Sequence, residues 1–169
     1  EFAPSTVIAD TELEIDWVVR LISQVRGVRA EMNVPPSAKI PLLLKDAGKR
    51  AKHCVETHVA LIVGLARLSS LDLLDGEVPS GAVQDVIDEA TIILPISDVI
   101  DLDFEKVRLE REIARQDSEI GRFEKKLGNE KFIANAPDEV VAAERDKLNE
   151  ARQTRTMLGE ARERLLAAS

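Results

Sequence analysis

The sequence predicts a mostly α-helical protein that contains one small α/β module. In chain order we expect an N-terminal helix from a helical bundle, several short β-strands, and a long antiparallel two-helix coiled coil. Three observations support this fold class. Apolar residues recur every three or four positions near both ends of the chain, short β-branched runs occupy its middle, and aromatic residues make up only 3% of the 169 residues.

The first helix is predicted over Asp10–Glu31. Asp10 or Thr11 is placed to cap it, because short polar side chains accept hydrogen bonds from the free amides of a first helical turn. Pro35-Pro36 ends the helical region, since proline donates no backbone hydrogen bond and forces the preceding residue into extended geometry. The predicted buried stripe consists of Ile15, Val18, Val19, Ile22, Val25 and Met32, with Trp17 at one flank.

The middle of the chain alternates between strand and helix patterns. Lys39–Leu44 reads as a short strand, and Pro41 within it favours a position at a sheet edge. Asp46–Leu65 has helical periodicity, with a break near Glu56-Thr57. Three further strands are expected at Leu68–Leu74, Ala82–Ile87 and Ala90–Ile96.

The last third of the chain predicts a helical hairpin of two charged helices. A connection of ten residues, Gly128–Pro137, lets them fold back on each other as antiparallel neighbours. Each helix carries one narrow apolar stripe at coiled-coil spacing. The stripe of the first helix is Leu102, Leu109, Ile113, Ile120, Phe123 and Leu127, and that of the second is Val141, Leu148, Ala151, Leu158 and Leu165. Polar residues interrupt the two stripes at Gln116, Glu144, Arg155 and Arg162.

Composition excludes several classes of function. No run approaches the ~20 apolar residues that span a bilayer, and a single cysteine, Cys54, fits a reducing cytoplasmic setting. Residues 1–102 hold 9 Lys/Arg against 16 Asp/Glu, whereas residues 103–169 hold 14 against 15. The global net charge of −8 argues against nucleic-acid binding. The hairpin, however, is almost neutral, so its local charge pattern decides whether it can bind nucleic acid.

No motif for catalysis or for a cofactor occurs. Glycine-rich phosphate loops, paired-cysteine zinc spacings and nucleophile elbows are all absent from the sequence. His53, Cys54 and His58 form the one cluster that suggests a metal, but their spacing matches no common zinc site. We therefore expect no catalytic, cofactor-binding or metal-binding residue in this chain.

The hairpin carries a basic stripe that defines the candidate site. Helical geometry places Arg108, Arg115 and Arg122 in one row, with Arg111 and Lys125 in the adjacent solvent-facing row. Lys126 and Lys131 extend positive charge to the tip. Such a stripe can follow a phosphate backbone, or it can simply solvate the outer face of a rod that docks on protein. Both interpretations stay open on pattern alone. Two interpretations also remain for Phe132 and Ile133 at the tip: they form an apolar plug that closes the hairpin, or a surface that contacts a partner.

Two stretches resemble bacterial valyl-tRNA synthetases. Arg26–Ser37 (RGVRAEMNVPPS), followed by Lys39–Leu44 (KIPLLL), is similar to the end of the anticodon-binding helical domain of that family. Leu127–Pro137 (LGNEKFIANAP), with Val140-Val141 and Glu144-Arg145, is similar to the tip of the family's C-terminal coiled-coil arm. The motifs occur in the order of the family, and the resemblance covers nearly all of the chain.

The resemblance implies a non-catalytic, C-terminal, tRNA-binding region. The parent enzymes attach valine to tRNA(Val) with ATP, and the HIGH-type and KMSKS-type signatures that hold ATP are not in this sequence. In the family the arm leans on the corner of the tRNA, where the D and T loops meet. Carried onto this chain, the candidate tRNA-binding residues are Arg108, Arg111, Arg115, Arg122, Lys125, Lys126 and Lys131, together with Arg26 and Arg29 near the end of the first helix.

These inferences divide the chain into three expected domains. Residues 1–37 end the anticodon-binding helical domain, residues 38–101 form the α/β module, and residues 102–169 form the arm. Glu1-Phe2 matches what a common restriction site encodes, so the chain is expected to be an expressed fragment with a vector-derived start. Expected partners are tRNA(Val) and the rest of the synthetase, in the cytoplasm and away from membranes. The alternative is a structural coiled-coil rod for protein docking or self-association through unpaired helix faces.

Overall fold

The computed structural model describes the backbone of residues 4–168 and the side chains of residues 10–168. Glu1 and Phe2, interpreted above as vector-derived, lie outside the described residues. The elements in chain order are α1 (Pro4–Glu31), β1 (Ile40–Lys45), α2 (Lys49–Ala66), β2 (Leu68–Leu74), β3 (Ala82–Ile87), β4 (Ala90–Pro95), α3 (Leu102–Leu127), α4 (Glu130–Asn135) and α5 (Asp138–Ala167). This is the predicted mostly α-helical architecture with one small α/β module.

The chain forms two compact units. The first runs up to Leu102 and includes Arg164 and the residues that follow it. The second comprises Asp103–Glu163 and contains the helical hairpin. Within the first unit, α1 packs on α2 and also contacts β3, while α2 packs on β2. Helix α2 thus contacts the strand at one edge of the sheet and α1 the strand at the other edge.

The sheet has four strands in the order β2-β1-β4-β3. β1 pairs in parallel with β2 and antiparallel with β4, so it is an interior strand. The expectation that Pro41 places β1 at an edge was wrong. The register between β1 and β2 shifts between Ile40 and Leu42, and such an irregularity accommodates a residue that cannot donate to the ladder.

Helix α1 begins earlier than predicted, and its buried face overlaps the predicted stripe only in part. It starts at Pro4, so neither Asp10 nor Thr11 is its cap. Ile15 and Val19 are 40% and 55% exposed, whereas Leu21 and Val28 are buried. The buried side chains are Trp17, Val18, Leu21, Ile22, Val25, Val28 and Met32. Because α1 contacts both α2 and β3, the neighbouring elements select this arc from a helix that is apolar on more than one side.

Helix α2 confirms the predicted irregularity. His58 has φ −117° and ψ 18° inside the helix, immediately after Glu56-Thr57. Its Nε2 atom lies 3.8 Å from a carboxylate oxygen of Glu14, and Nε2 of His53 lies 3.4 Å from the other. Cys54 is fully buried, and burial raises the pKa of its thiol. The two histidines of α2 thus lie next to Glu14 of α1.

Two glycines illustrate opposite backbone requirements in this unit. Gly81 has φ +74°, and a Cβ there would overlap the side chain of Ser97. Its amide donates to the carbonyl of Ala168 at 2.9 Å, which ties the end of the chain to the start of β3. Gly64, in the last turn of α2, has nothing within 4 Å of where its Cβ would be. Of these two glycines, Gly81 is therefore the one whose position requires the absence of a side chain.

The helical hairpin has the predicted bounds for its first helix, Leu102–Leu127. The connection to the second helix is not the simple loop that was expected, because it contains the short helix α4. Asn129 caps α4 through its Oδ1 atom, which accepts hydrogen bonds from the amides of Lys131 and Phe132 at 3.0 and 3.4 Å. A capped turn of this kind fixes the conformation of the tip.

Candidate nucleic-acid interface

The hairpin is held together by a small apolar core near its tip. Phe123 of α3 packs with Leu148 and Ala151 of α5, and Ile120 and Leu127 lie against this cluster. These are residues of the predicted apolar stripes. A narrow core of this kind joins two helices along one line and leaves the remaining surface of each helix exposed.

Ion pairs between α3 and α5 flank this core. Arg162 lies 3.3 Å from Glu110, Arg155 lies 3.1 Å from Asp117, and Arg152 lies 2.7 Å from Glu124. The residue numbers run in opposite directions, as an antiparallel hairpin requires. Arg155 and Arg162, which interrupt the apolar stripe, are therefore satisfied across the hairpin. Such exposed pairs each contribute at most about 1 kcal/mol, and their main consequence is that these charges are already paired.

The row of three arginines on α3 is also paired, within its own helix. Each arginine binds the glutamate three residues before it: Arg108 with Glu105 at 2.6 Å, Arg115 with Glu112, and Arg122 with Glu119 at 2.6 Å. The sequence contains the signal for this, since the three glutamates recur with the same seven-residue period, and we missed it. Three of the five cations of the predicted stripe on α3 are thus locally neutralised.

Arg111 and Lys125 differ from that row. Both are exposed, and neither has an ion-pair partner among the described residues. Ala114, Ser118 and Gly121 lie between them at alternating steps of three and four, and all three are exposed. We call these five residues the outer face of α3. It contains no carboxylate and no bulky side chain between its two cations.

Positive charge also gathers near the tip. Lys126 and Lys147 share one carboxylate, Glu144, at 3.1 and 3.3 Å. Lys126, and to a lesser extent Lys147, lowers the pKa of Glu144. The Lys126 ammonium also lies 5.0 Å from the centre of the Phe132 ring, and Lys131 is exposed. A groove of about 430 Å³ opens here, lined by Arg122, Phe123, Lys126, Glu144 and Lys147.

The two candidate arginines of α1 have different environments. Arg26 is exposed, whereas Arg29 is 6% exposed. The Arg29 guanidinium donates to the carbonyl oxygens of Arg67, Pro35 and Ala38 at 3.0, 3.3 and 2.7 Å. Burial, and secondarily the nearby charge of Arg67, lowers the pKa of Arg29. The expectation that Arg29 contacts RNA directly does not fit this geometry, because its donors are occupied by the main chain.

Known proteins resemble this chain over most of its length. Residues 101–166 match a family described as the valyl tRNA synthetase tRNA binding arm. The chain is 47% identical over 152 residues to a valine–tRNA ligase of Granulibacter bethesdensis, covering 90% of this chain and 17% of that protein. It is 44% identical over 139 residues to the enzyme of Gluconobacter oxydans, covering 82% and 16%. A third relative, from Brucella suis, is 41% identical over 160 residues, covering 95% and 18%. Over most of its length the chain therefore corresponds to a segment of valyl-tRNA synthetases.

The chain spans about one sixth of the length of the valyl-tRNA synthetases that it matches. The match to the arm begins at residue 101 and includes α3, α4 and most of α5. It therefore covers the hairpin, including the outer face of α3 and the cations at the tip. The similarity to the three enzymes extends beyond the arm and covers 82–95% of the chain.

The His53–Cys54–His58 cluster shows no arrangement for chemistry. Both histidines face Glu14, as described above, and the Cys54 thiol is buried. Among the side chains of residues 10–168, no group of three or more His, Cys, Asp and Glu is placed to hold a metal ion. Within the same residues, none of the helices has the length and apolar character needed to cross a membrane.

Proposed function

We propose that this chain is the non-catalytic C-terminal tRNA-binding region of a valine–tRNA ligase, and that its hairpin binds the corner of tRNA(Val). The observation that carries the proposal is the match of residues 101–166 to a tRNA-binding arm. The geometry of the hairpin supports it, because paired charges hold the two helices together while Arg111 and Lys125 remain available.

The contact would be made mostly to phosphates and to shape. Double-helical RNA presents phosphates and ribose hydroxyls rather than readable base edges, so its recognition needs neither aromatic side chains nor a strongly basic domain. The outer face of α3 suits such a contact, since the small residues Ala114, Ser118 and Gly121 let a backbone approach the helix closely. Arg115 and Arg122 flank this face, and Lys126 and Lys131 extend it to the tip.

The remaining activities belong to the proposed whole enzyme. It would attach valine to tRNA(Val) using ATP, in the cytoplasm during translation, with the ATP site in the part of the enzyme outside this chain. Within the chain we propose the domain limits expected from the sequence: residues 1–37, 38–101 and 102–169. The hairpin would increase the affinity for tRNA and orient it without taking part in valine activation.

Binding of the 169-residue chain to tRNA tests the proposal. We expect binding to tRNA(Val) and to an unrelated tRNA at low salt, with a strong decrease at physiological salt, because phosphate contacts release counterions. Similar affinity for both tRNAs is expected, since phosphates carry no sequence information. No binding at low salt to either RNA would contradict the proposal for the isolated chain.

A steric variant tests which face of the hairpin is used. A Cβ at Gly121 meets nothing within 4 Å, so Gly121→Gln leaves the helix intact and gains helix propensity. If the outer face of α3 contacts RNA, this side chain blocks close approach and weakens binding. Gly159→Gln on α5 is the matched control, and an equal effect of both variants would contradict the assignment of the face.

A second candidate function is protein docking by the hairpin. It is favoured by large exposed apolar side chains on α3, where Phe104 and Val107 are 65% and 45% exposed. Salt separates the two functions, because added salt does not weaken apolar docking. Sedimentation of the chain at low and high salt would reveal self-association that survives high salt.

A further inference from the structure

A cleft outside the hairpin gathers three arginines without a carboxylate. It lies in the first unit, between the end of α1, the segment that follows it, and the end of α2. Its volume is about 280 Å³. The lining residues are Arg26, Arg29, Ala30, Val34, Pro36, Leu65, Ala66 and Arg67. The surrounding sequence is acidic, since residues 1–102 hold only 9 Lys/Arg against 16 Asp/Glu. Three of those nine cations meet at this one cleft.

The three arginines have distinct roles. Arg29 is buried, and its guanidinium binds three main-chain carbonyls, so it positions the wall of the cleft. Arg67 lies at the C-cap of α2 with φ 55° and ψ 53°, a left-handed conformation in which glycine is usual. Its guanidinium donates to the carbonyl of Pro36 at 2.7 Å, which holds the exposed side chain over the cleft. Arg26 is exposed and has no ion-pair partner among the described side chains.

Electrostatics favours an anion in this cleft. Like charges that converge without a carboxylate repel one another, and an anion between them removes that repulsion. Arg26 and Arg67 provide planar forks of donors, which match the oxygens of a phosphate. The apolar part of the lining offers a surface to a flat apolar group, and this surface is formed mainly by Pro36 and Leu65 because Val34 is only 7% exposed. Leu65 is 51% exposed, so this surface is open to solvent.

We propose that this cleft binds one unpaired nucleotide of an RNA strand, with its phosphate between Arg26 and Arg67 and its base against Val34, Pro36 and Leu65. The volume is slightly below the ~300 Å³ at which small-molecule pockets begin. A cleft of this size holds one unit of a longer ligand rather than enclosing a whole molecule. The inference rests on the proposed function for the presence of RNA, but it assigns a contact that is separate from the hairpin.

The test measures the intact chain with two RNA probes. Fluorescence anisotropy reports binding of a labelled single-stranded hexanucleotide and, separately, of tRNA. The variants are Arg26→Gln, Arg67→Gln and Arg67→Lys, each compared with wild type in thermal unfolding. Lys49→Gln is the matched control, because Lys49 is exposed in the same unit and also lacks an ion-pair partner among the described residues.

We expect Arg26→Gln and Arg67→Gln each to weaken hexanucleotide binding about threefold or more at low salt, because the slope of log K against log salt changes by about 0.7 for each phosphate contact to a single strand. Arg67→Lys should recover only part of the loss, because an ammonium lacks the planar fork. Lys49→Gln should bind like wild type. As competitors of the hexanucleotide, inorganic phosphate should be weaker than a mononucleotide, since phosphate alone cannot contact the apolar wall of the cleft.

Three results would overturn the inference. Unchanged hexanucleotide affinity in both glutamine variants would show that the cleft does not bind RNA, and a protein carboxylate would then be the expected anion. An equal loss in Lys49→Gln would reduce the effect to net charge. Inorganic phosphate that competes as well as a mononucleotide would reduce the site to a simple anion site. If tRNA still binds wild type in these cases, the proposed function of the hairpin stands, whereas absent tRNA binding would contradict that function instead.

Discussion

Removing the two unpaired cations of the outer face should change the salt dependence of tRNA binding in a calculable way. The variant is Arg111→Ala combined with Lys125→Ala. Neither side chain has an ion-pair partner among the described residues, so the substitution leaves no carboxylate unpaired. Each lost phosphate contact reduces the slope of log K against log salt by about 0.7–0.9. Two contacts therefore reduce it by about 1.4–1.8.

That change in slope predicts a difference that can be measured directly. Between 50 and 200 mM salt the wild-type affinity should fall about seven- to twelvefold more than the affinity of the double variant. The assay is filter binding or anisotropy with tRNA at four or more salt concentrations, with Lys49→Ala as the control for net charge. Parallel salt lines for wild type and double variant would refute the assignment of these two residues to phosphate contacts, whatever the change in affinity at one salt concentration.

Three further predictions concern charges and glycines. Glu112→Gln with Glu119→Gln should strengthen tRNA binding at low salt, because it frees the two arginines that these glutamates hold; weaker binding would contradict an RNA-facing row. Gly81→Ala should destabilise the chain by about 2 kcal/mol or more in urea unfolding, from the left-handed backbone and the overlap with its neighbour, while Gly64→Ala should stabilise it by up to about 1 kcal/mol. Glu144→Gln should make thermal stability less sensitive to acid. The lowered pKa of Glu144 means that its contribution is present above the ordinary value near 4.5 and is lost as the pH falls through the lowered value; an unchanged pH profile would contradict this.

Periodicity was sufficient to predict the elements and the buried stripes of the hairpin, but not the whole buried face of α1. The bounds of α3 and β2 agree with the pattern to the residue, because punctuation and spacing are local properties. The face of α1 was wrong at Ile15 and Val19, since a helix with apolar residues on several sides takes its orientation from its neighbours. The edge position that Pro41 predicted for β1 was also wrong, because a register shift between two strands cannot be recognised from the sequence of one strand.

The positions of the candidate cations could be predicted from the sequence, but which of them are available to a ligand was not predicted. Spacing alone placed Arg108, Arg115 and Arg122 in one row on α3, and the structure shows that row. The same spacing also contains the glutamates that neutralise this row, whereas a cation that is occupied by tertiary contacts cannot be recognised from spacing. Arg29 is the clearest case, because a motif that reads as basic places this guanidinium among main-chain carbonyls.

The near neutrality of the hairpin is compatible with binding a polyanion because its carboxylates are confined. Residues 103–169 hold 15 Asp/Glu against 14 Lys/Arg, which as a uniform average would repel RNA. Six of those carboxylates, however, are each paired with an arginine, either across the hairpin or one turn earlier in α3. The outer face between Arg111 and Lys125 contains none, and it extends over about 21 Å of helix. Screening limits the reach of each charge to roughly 8 Å at physiological salt, so an RNA backbone on this face would respond to the local cations rather than to the average. The ion pairs that stabilise the hairpin thus also keep these six carboxylates neutralised and off the surface that we propose for RNA.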